Sequence, residues 1–138
     1  MISLEQTAYQ VIQALKRHKV SDYEISLSAS SGVSTAVRLG KVETLEYHLD
    51  KSLDINVYLG QAKGHTSSVD LSEGGILKAV ESACLIAKYT QNDPFSGLAP
   101  KELMAFDVPD LDMYHPWELD PSHSIDLATR CEAQALDH

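Results

Sequence analysis

Nowhere does this sequence of 138 residues approach the roughly 18 consecutive apolar residues that a membrane-spanning helix needs, so no contact with a bilayer interior is expected. The opening Met1-Ile2-Ser3-Leu4-Glu5-Gln6 lacks the basic patch and apolar core of a secretory leader, which makes a cytoplasmic location the expectation. Cysteine is scarce as well. Cys84 and Cys131 have neither CxxC nor zinc-knuckle spacing, and since both fall in apolar helical patterns they read as buried thiols. Positive charge is the last shortage: 11 Lys and Arg face 20 Asp and Glu, for a formal net charge of -9. A phosphate backbone is bound by neutralising it, so direct contact with nucleic acid is not expected. Six of the carboxylates (Glu102, Asp107, Asp110, Asp112, Glu118, Asp120) lie between Lys101 and Asp120, with that one lysine as their only cationic neighbour.

What is present is amphipathic periodicity. Ser3-Leu4-Glu5-Gln6 fits a capping box, and Leu4, Ala8, Val11, Ile12 and Leu15 follow at helical spacing, predicting a helix to about residue 19. From Asp22 the period becomes two. Tyr23, Ile25, Leu27 and Ala29 alternate with polar residues, and after Gly32 the alternation resumes at Val33, Thr35, Val37 and Leu39. Gly40-Lys41, with glycine first, suits a type II′ hairpin turn. Two further strands are expected on either side of Asp50-Lys51, and His65 to Val69 reads as an edge strand or a loop. Asp70-Leu71-Ser72 opens a second helix with Ile76, Leu77, Val80, Ala83, Cys84 and Ala87 as its stripe. All five prolines fall between Pro94 and Pro121, in a long aperiodic stretch that is a candidate contact surface. Asp120-Pro121 then opens a third helix striped by Ile125, Ala128, Cys131 and Ala135.

The expected fold is therefore α+β: a two-layer sandwich in which an antiparallel meander of four to five strands is covered by amphipathic helices. Residues 1–90 would form its core, 91–120 a long acidic segment containing prolines, and 121–138 the start of a helix continuing into a longer protein.

No residue pattern supplies a self-sufficient active site. The six histidines include no pair at ligand spacing, and Asp107, Asp110 and Asp112 lack the glycine and terminal glutamate of a calcium loop. Ser67 and Ser68 lie close to His65, but proximity along an extended segment does not build a nucleophile, base and orienting acid. Gly74-Gly75 lacks phosphate-loop spacing. These residues leave open a binding module, an assembly domain, or part of an enzyme with its catalytic residues elsewhere.

Several segments together resemble the N-terminal region of the TldD/PmbA family, and its PmbA (TldE) subunits in particular. They are Val42 to Tyr47, Lys63 to Ser72, Ala87-Lys88-Tyr89-Thr90-Gln91-Asn92-Asp93-Pro94, and Phe106 to Pro116. The resemblance implies a longer subunit of a dimeric complex, formed with a TldD-like partner or with itself, that processes unfolded peptides. It implies zinc at an HExxxH motif in a later domain of the TldD-type partner, and no cofactor or catalytic residue in this domain. An alternative implication, from the family's older description as a modulator of DNA gyrase, is a non-enzymatic regulatory module. For contacts with a partner or peptide the candidates are His65, Ser67, Ser68, Asp93, Phe95, His115 and Trp117, because aromatics beside polar groups anchor interfaces. Phe95 and Trp117 have a second reading, as pins holding the long segment to its own sheet.

Overall fold

Residues 3–117 and 120–137 are described by a computed structural model. In chain order it contains α1 (Leu4–Leu15), β1 (Asp22–Arg38), β2 (Lys41–Leu59), β3 (Ala62–Ser68), α2 (Glu73–Tyr89), a short 3-10 turn at Lys101–Leu103 and α3 (Pro121–Leu136). The strands form one antiparallel sheet in the order β1-β2-β3. The α+β architecture agrees with the sequence reading, with three strands in place of four to five. Gly32 and the Asp50-Lys51 pair do not interrupt their strands. A β-carbon on Gly32 would come within 2.6 Å of the His48 ring, so this glycine makes room for an imidazole packed over the strand rather than ending it. Asp50-Lys51 brings no glycine to a turn position, and β2 runs straight through it.

Both hairpin turns also differ from expectation. β1 and β2 are joined by Leu39-Gly40, not Gly40-Lys41, and both turn residues have positive φ, 52° and 72°, the pattern of a type I′ turn. The glycine-first arrangement occurs one hairpin later. Gly60, at φ 63°, precedes Gln61, which does not have positive φ, and the turn sets β3 in register with Leu59 opposite Ala62 and Asn56 opposite His65.

The chain divides into two compact units, Met1–Ala29 with Asp50–Ala105, and Ser30–Leu49 with Phe106–His138, so β1 and β2 contribute residues to both. In the first unit α1 and α2 cover one face of the sheet. Val11, Ala14 and Leu15 from α1 meet Leu53, Ile55 and Val57 from β2 and Ile76, Ala79, Val80 and Ala83 from α2. Each fully buried aliphatic side chain here contributes about 1.5–3 kcal/mol relative to exposure. The Ser3 capping box forms as predicted, but α1 ends at Leu15 rather than near residue 19, and its buried stripe is Thr7, Val11, Ala14 and Leu15.

α2 is capped by Ser72, whose hydroxyl accepts the Gly75 N–H at 3.1 Å. Just before it the Asp70 carboxylate accepts the Ser72 N–H at 3.0 Å. The Ser72 side chain, then this backbone N–H, hold the Asp70 carboxyl below its ordinary 3.8, Lys78 adding a smaller attraction against a small desolvation effect. A depressed carboxylate stabilises the fold above its ordinary pKa and loses that contribution as pH falls through its lowered value. Acid titration of the Ser72 amide resonance is therefore expected to show a transition below pH 3.8, absent in Asp70→Asn.

In the second unit α3 begins as predicted, with Asp120 accepting the His123 N–H at 2.9 Å and Pro121 in the first turn. Its expected stripe is covered only over the first turns: Ser124, on the same face, is buried and bonded to Thr35 at 2.6 Å, Ile125 and Ala128 are half-buried, and Cys131 and Ala135 are exposed. Cys131 is thus not a buried thiol, and Cys84 is only half-buried, its pKa raised by desolvation. Brief treatment with iodoacetamide at pH 7.5 should label Cys131 first and Cys84 at least several-fold more slowly, as peptide mass spectrometry would read, because the thiolate is the reacting form.

Candidate functional site

Outward residues of the first unit's sheet build a polar row across three strands. Alternation along β1, β2 and β3 sends Tyr23, Ile25, Leu53, Ile55, Val57, Ala62 and Gly64 toward the helices, leaving Glu24, Asp54, Asn56, His65 and Ser67 on the open face. Asn56 is the centre of the row. Its Nδ2 donates to Glu24 Oε2 at 3.0 Å, and its Oδ1 lies 3.1 Å from His65 Nδ1. A carboxylate only accepts, so Glu24 fixes the orientation of the Asn56 amide, and Asn56 Oδ1 in turn requires a proton on His65 Nδ1. Neutral His65 consequently presents the lone pair of Nε2 to solvent, 4.0 Å from Asp54 Oδ1. On protonation, Nε2–H faces that carboxylate. Both side chains are about half exposed, so the pairing contributes little to stability.

This arrangement offers an oriented imidazole without a nucleophile. Ser67 lies opposite Asp54 on the same face as His65, and no hydrogen bond joins it to the ring among the described residues. Ser68 belongs to the other face, where its hydroxyl donates to the Asp70 carbonyl and accepts the Asp70 N–H, forming the turn into α2. Among the described residues no group of three or more His, Cys, Asp or Glu side chains is placed to hold a metal ion. His65 with Asp54 supplies two donors, which does not fit a zinc ligand set.

The remaining sequence candidates do not join this row. Asp93 accepts the Phe95 N–H at 2.9 Å in the loop after α2, and its own N–H donates to the Gln61 carbonyl. Phe95 is 95% exposed and pins nothing. In the second unit His115 lies 3.9 Å from Asp112, and the Trp117 ring meets His123 edge-on at 6.4 Å, remaining 69% exposed. Trp117 therefore does not pin the long segment to the sheet either. Phe106, Val108, Leu111, Met113 and Tyr114 are exposed beside it. Glu24, Asp54 and Asn56 were not singled out in the sequence. The signal that identifies Asn56 is the Gly60-Gln61 turn, which fixes its pairing with His65.

Comparison with known proteins places this geometry in a wider context. Residues 23–87 match the family model described as PmbA/TldA metallopeptidase domain 1. The chain is similar to Metalloprotease PmbA of Escherichia coli and to the Metalloprotease PmbA homolog of Haemophilus influenzae, each 47% identical over 113 residues. Those matches cover 82% of this chain and 25% of each relative, so the chain spans about a quarter of their length. Its fold is similar to that of TldE from Thermococcus kodakarensis, with a TM-score of 0.71 at 15% identity over 95% of this chain and 29% of the other.

Proposed function

The chain belongs to the PmbA/TldD metallopeptidase family, whose first domain it carries, and from this we propose that it is the N-terminal, non-catalytic domain of a PmbA/TldE-type subunit. The observation that carries this reading is the 47% identity to Metalloprotease PmbA over 113 residues. In this role the domain supports assembly with a TldD-like subunit and helps to enclose an unfolded peptide substrate, while zinc and the chemistry of hydrolysis reside in that partner. The open face around His65 supports a binding role, because its hydrogen-bonding groups are held in place and solvated.

The test is reconstitution. Full-length protein and a TldD-type partner, mixed, should cleave a fluorescently labelled unfolded polypeptide, and this chain alone should cleave nothing. Elemental mass spectrometry should find zinc with the partner. Cleavage by the full-length protein without a partner, accompanied by stoichiometric zinc, would overturn the reading. The second reading, a regulatory module of the gyrase-modulator type, is favoured by the exposed apolar residues from Phe106 to Trp117, and it predicts a stable regulatory partner in a pull-down with the full-length protein.

A further inference from the structure

Among the described residues both edges of the second unit's hairpin lack a strand partner; β1's carries no exposed large apolar side chain from Ser30 to Arg38, whereas β2's does. β3 pairs with β2 only from Leu53 to Leu59, so among the described residues the stretch from Lys41 to Leu49 has β1 on one side and no strand on the other. At about 3.3 Å per residue this edge is about 30 Å long. Such edges are usually blunted by charged side chains, by proline, by a bulge or by a covering element, and of these the stretch has Lys41, Glu43 and Glu46. Here the stretch contains no proline, and Leu45, Tyr47 and Leu49 stand exposed at alternate positions, by 44%, 74% and 59%. Backbone donors and acceptors in a row, with apolar side chains every second residue, match an extended strand and not a helix or a small molecule.

Charge selects among extended partners. The second unit holds 10 of the 20 carboxylates and 3 of the 11 Lys and Arg residues, so it carries -7 of the formal net charge of -9. The edge strand itself carries Glu46 and also Glu43, which is paired with Arg38 at 3.4 Å, and Lys41 is the one cation of the stretch. Two copies of this unit would bring like charges together, whereas an extended segment carrying Lys or Arg would be attracted. We propose that the Lys41–Leu49 edge of β2 binds an extended, basic polypeptide segment by strand addition, with apolar residues of the segment packing beside Leu45, Tyr47 and Leu49. The inference rests on this edge and its charge, independently of the peptidase reading: the titration below uses this chain alone, so its failure and that of the reconstitution are separately visible.

The probe is a fluorescein-labelled decapeptide of alternating lysine and valine, titrated with the 138-residue chain at low ionic strength. Saturable anisotropy is expected, weakening at least about tenfold when salt is raised into the range that screens surface charge. Hydrogen exchange of the complex should show new protection at backbone amides in 41–49. The double variant Leu45→Lys, Tyr47→Lys should lower affinity by about tenfold or more, and the milder Glu46→Gln by a few-fold, with exchange at Leu39 and Gly40 of the same unit unchanged as the check on folding. The proposal is overturned by no saturable binding, or by binding with protection confined to 106–117. It is equally overturned by equal affinity for a glutamate-valine peptide or for a decapeptide methylated on alternate backbone nitrogens. Concentration-dependent self-association that protects 41–49 would assign the edge to a second copy. Protection of the same amides in full-length protein without peptide would assign it to another domain.

Discussion

Gly64→Val is expected to destabilise the first unit by about 3 kcal/mol, enough to shift its urea midpoint markedly or to abolish folding. Gly64 sits in β3 opposite Val57, where the strand backbone lies directly against α2. A β-carbon there would collide with the Ala83 carbonyl oxygen, lie 2.5 Å from the Ala87 nitrogen and touch the Ala87 methyl at 3.0 Å. Two of these three neighbours are helix backbone, which has no rotamer to change. Accommodating even one methyl means lifting α2 from the sheet, and Ala83 and Ala87 are fully buried because that spacing is close. Gly64→Ala should therefore also be costly, although less so. Gly74→Ala is the contrast, since a methyl at that position would meet nothing within 4 Å and the residue's φ is not positive. It should be neutral or stabilise α2 by up to about 1 kcal/mol. Urea unfolding of the three variants followed by circular dichroism decides the matter, and equal midpoints for Gly64→Val and the parent chain would contradict the packing described.

The second large effect concerns Glu132. Its two carboxylate oxygens accept the N–H groups of Leu39 and Gly40, at 2.6 and 2.8 Å, fastening α3 to the tip of the β1-β2 hairpin. Leu39 is held at φ 52°, a conformation that costs a non-glycine residue roughly 1–2 kcal/mol. Glu132→Ala removes both charge-assisted bonds and is expected to lower the stability of the second unit by about 2 kcal/mol, near the lower end for such a pair because the site is exposed. Amide exchange at Leu39 and Gly40 should accelerate about 30-fold, by conversion of that energy, while exchange in 53–59 stays as it was. Glu132→Gln, which keeps one good acceptor, should fall between. Leu39→Gly in the same assay should recover part of the loss by relieving the backbone. Unchanged exchange at residues 39 and 40 in Glu132→Ala would show that the carboxylate does not hold the turn.

Local signals in the sequence were reliable where the physical cause was itself local. Ser3 with Gln6, Ser72 before α2, and Asp120 with Pro121 each satisfy helix-end N–H groups from within four residues, and each helix start lies where those residues indicate. Glycines misled because their meaning depends on what approaches them. Gly32 reads as a break until His48, 16 residues away, is seen over it, and Gly40 takes the second turn position because Glu132 stabilises a left-handed Leu39 before it. Cys131 reads as buried from helical spacing, and it does share a helix face with Ser124, seven residues earlier, but that face is covered at Ser124 beside Thr35 and left open at Cys131. The polar row was half legible: His65 stood out as a histidine beside serines, whereas Glu24 and Asn56 became its neighbours only through the register of two hairpins. The exposure of Phe95 and Trp117 could not be read from an aperiodic stretch, which carries no face to assign.

The bond between Leu39 and Glu132 spans 93 positions of sequence. On a ribosome adding about 5–20 residues per second, the hairpin tip is made several seconds before the residue that fastens it. Through that interval the left-handed turn has no carboxylate to hold it, and the surface later taken by α3 is bare. A nascent chain halted before Glu132 would thus display the hairpin as an unfastened ribbon, open to chaperones along both edges until α3 emerges to fasten it.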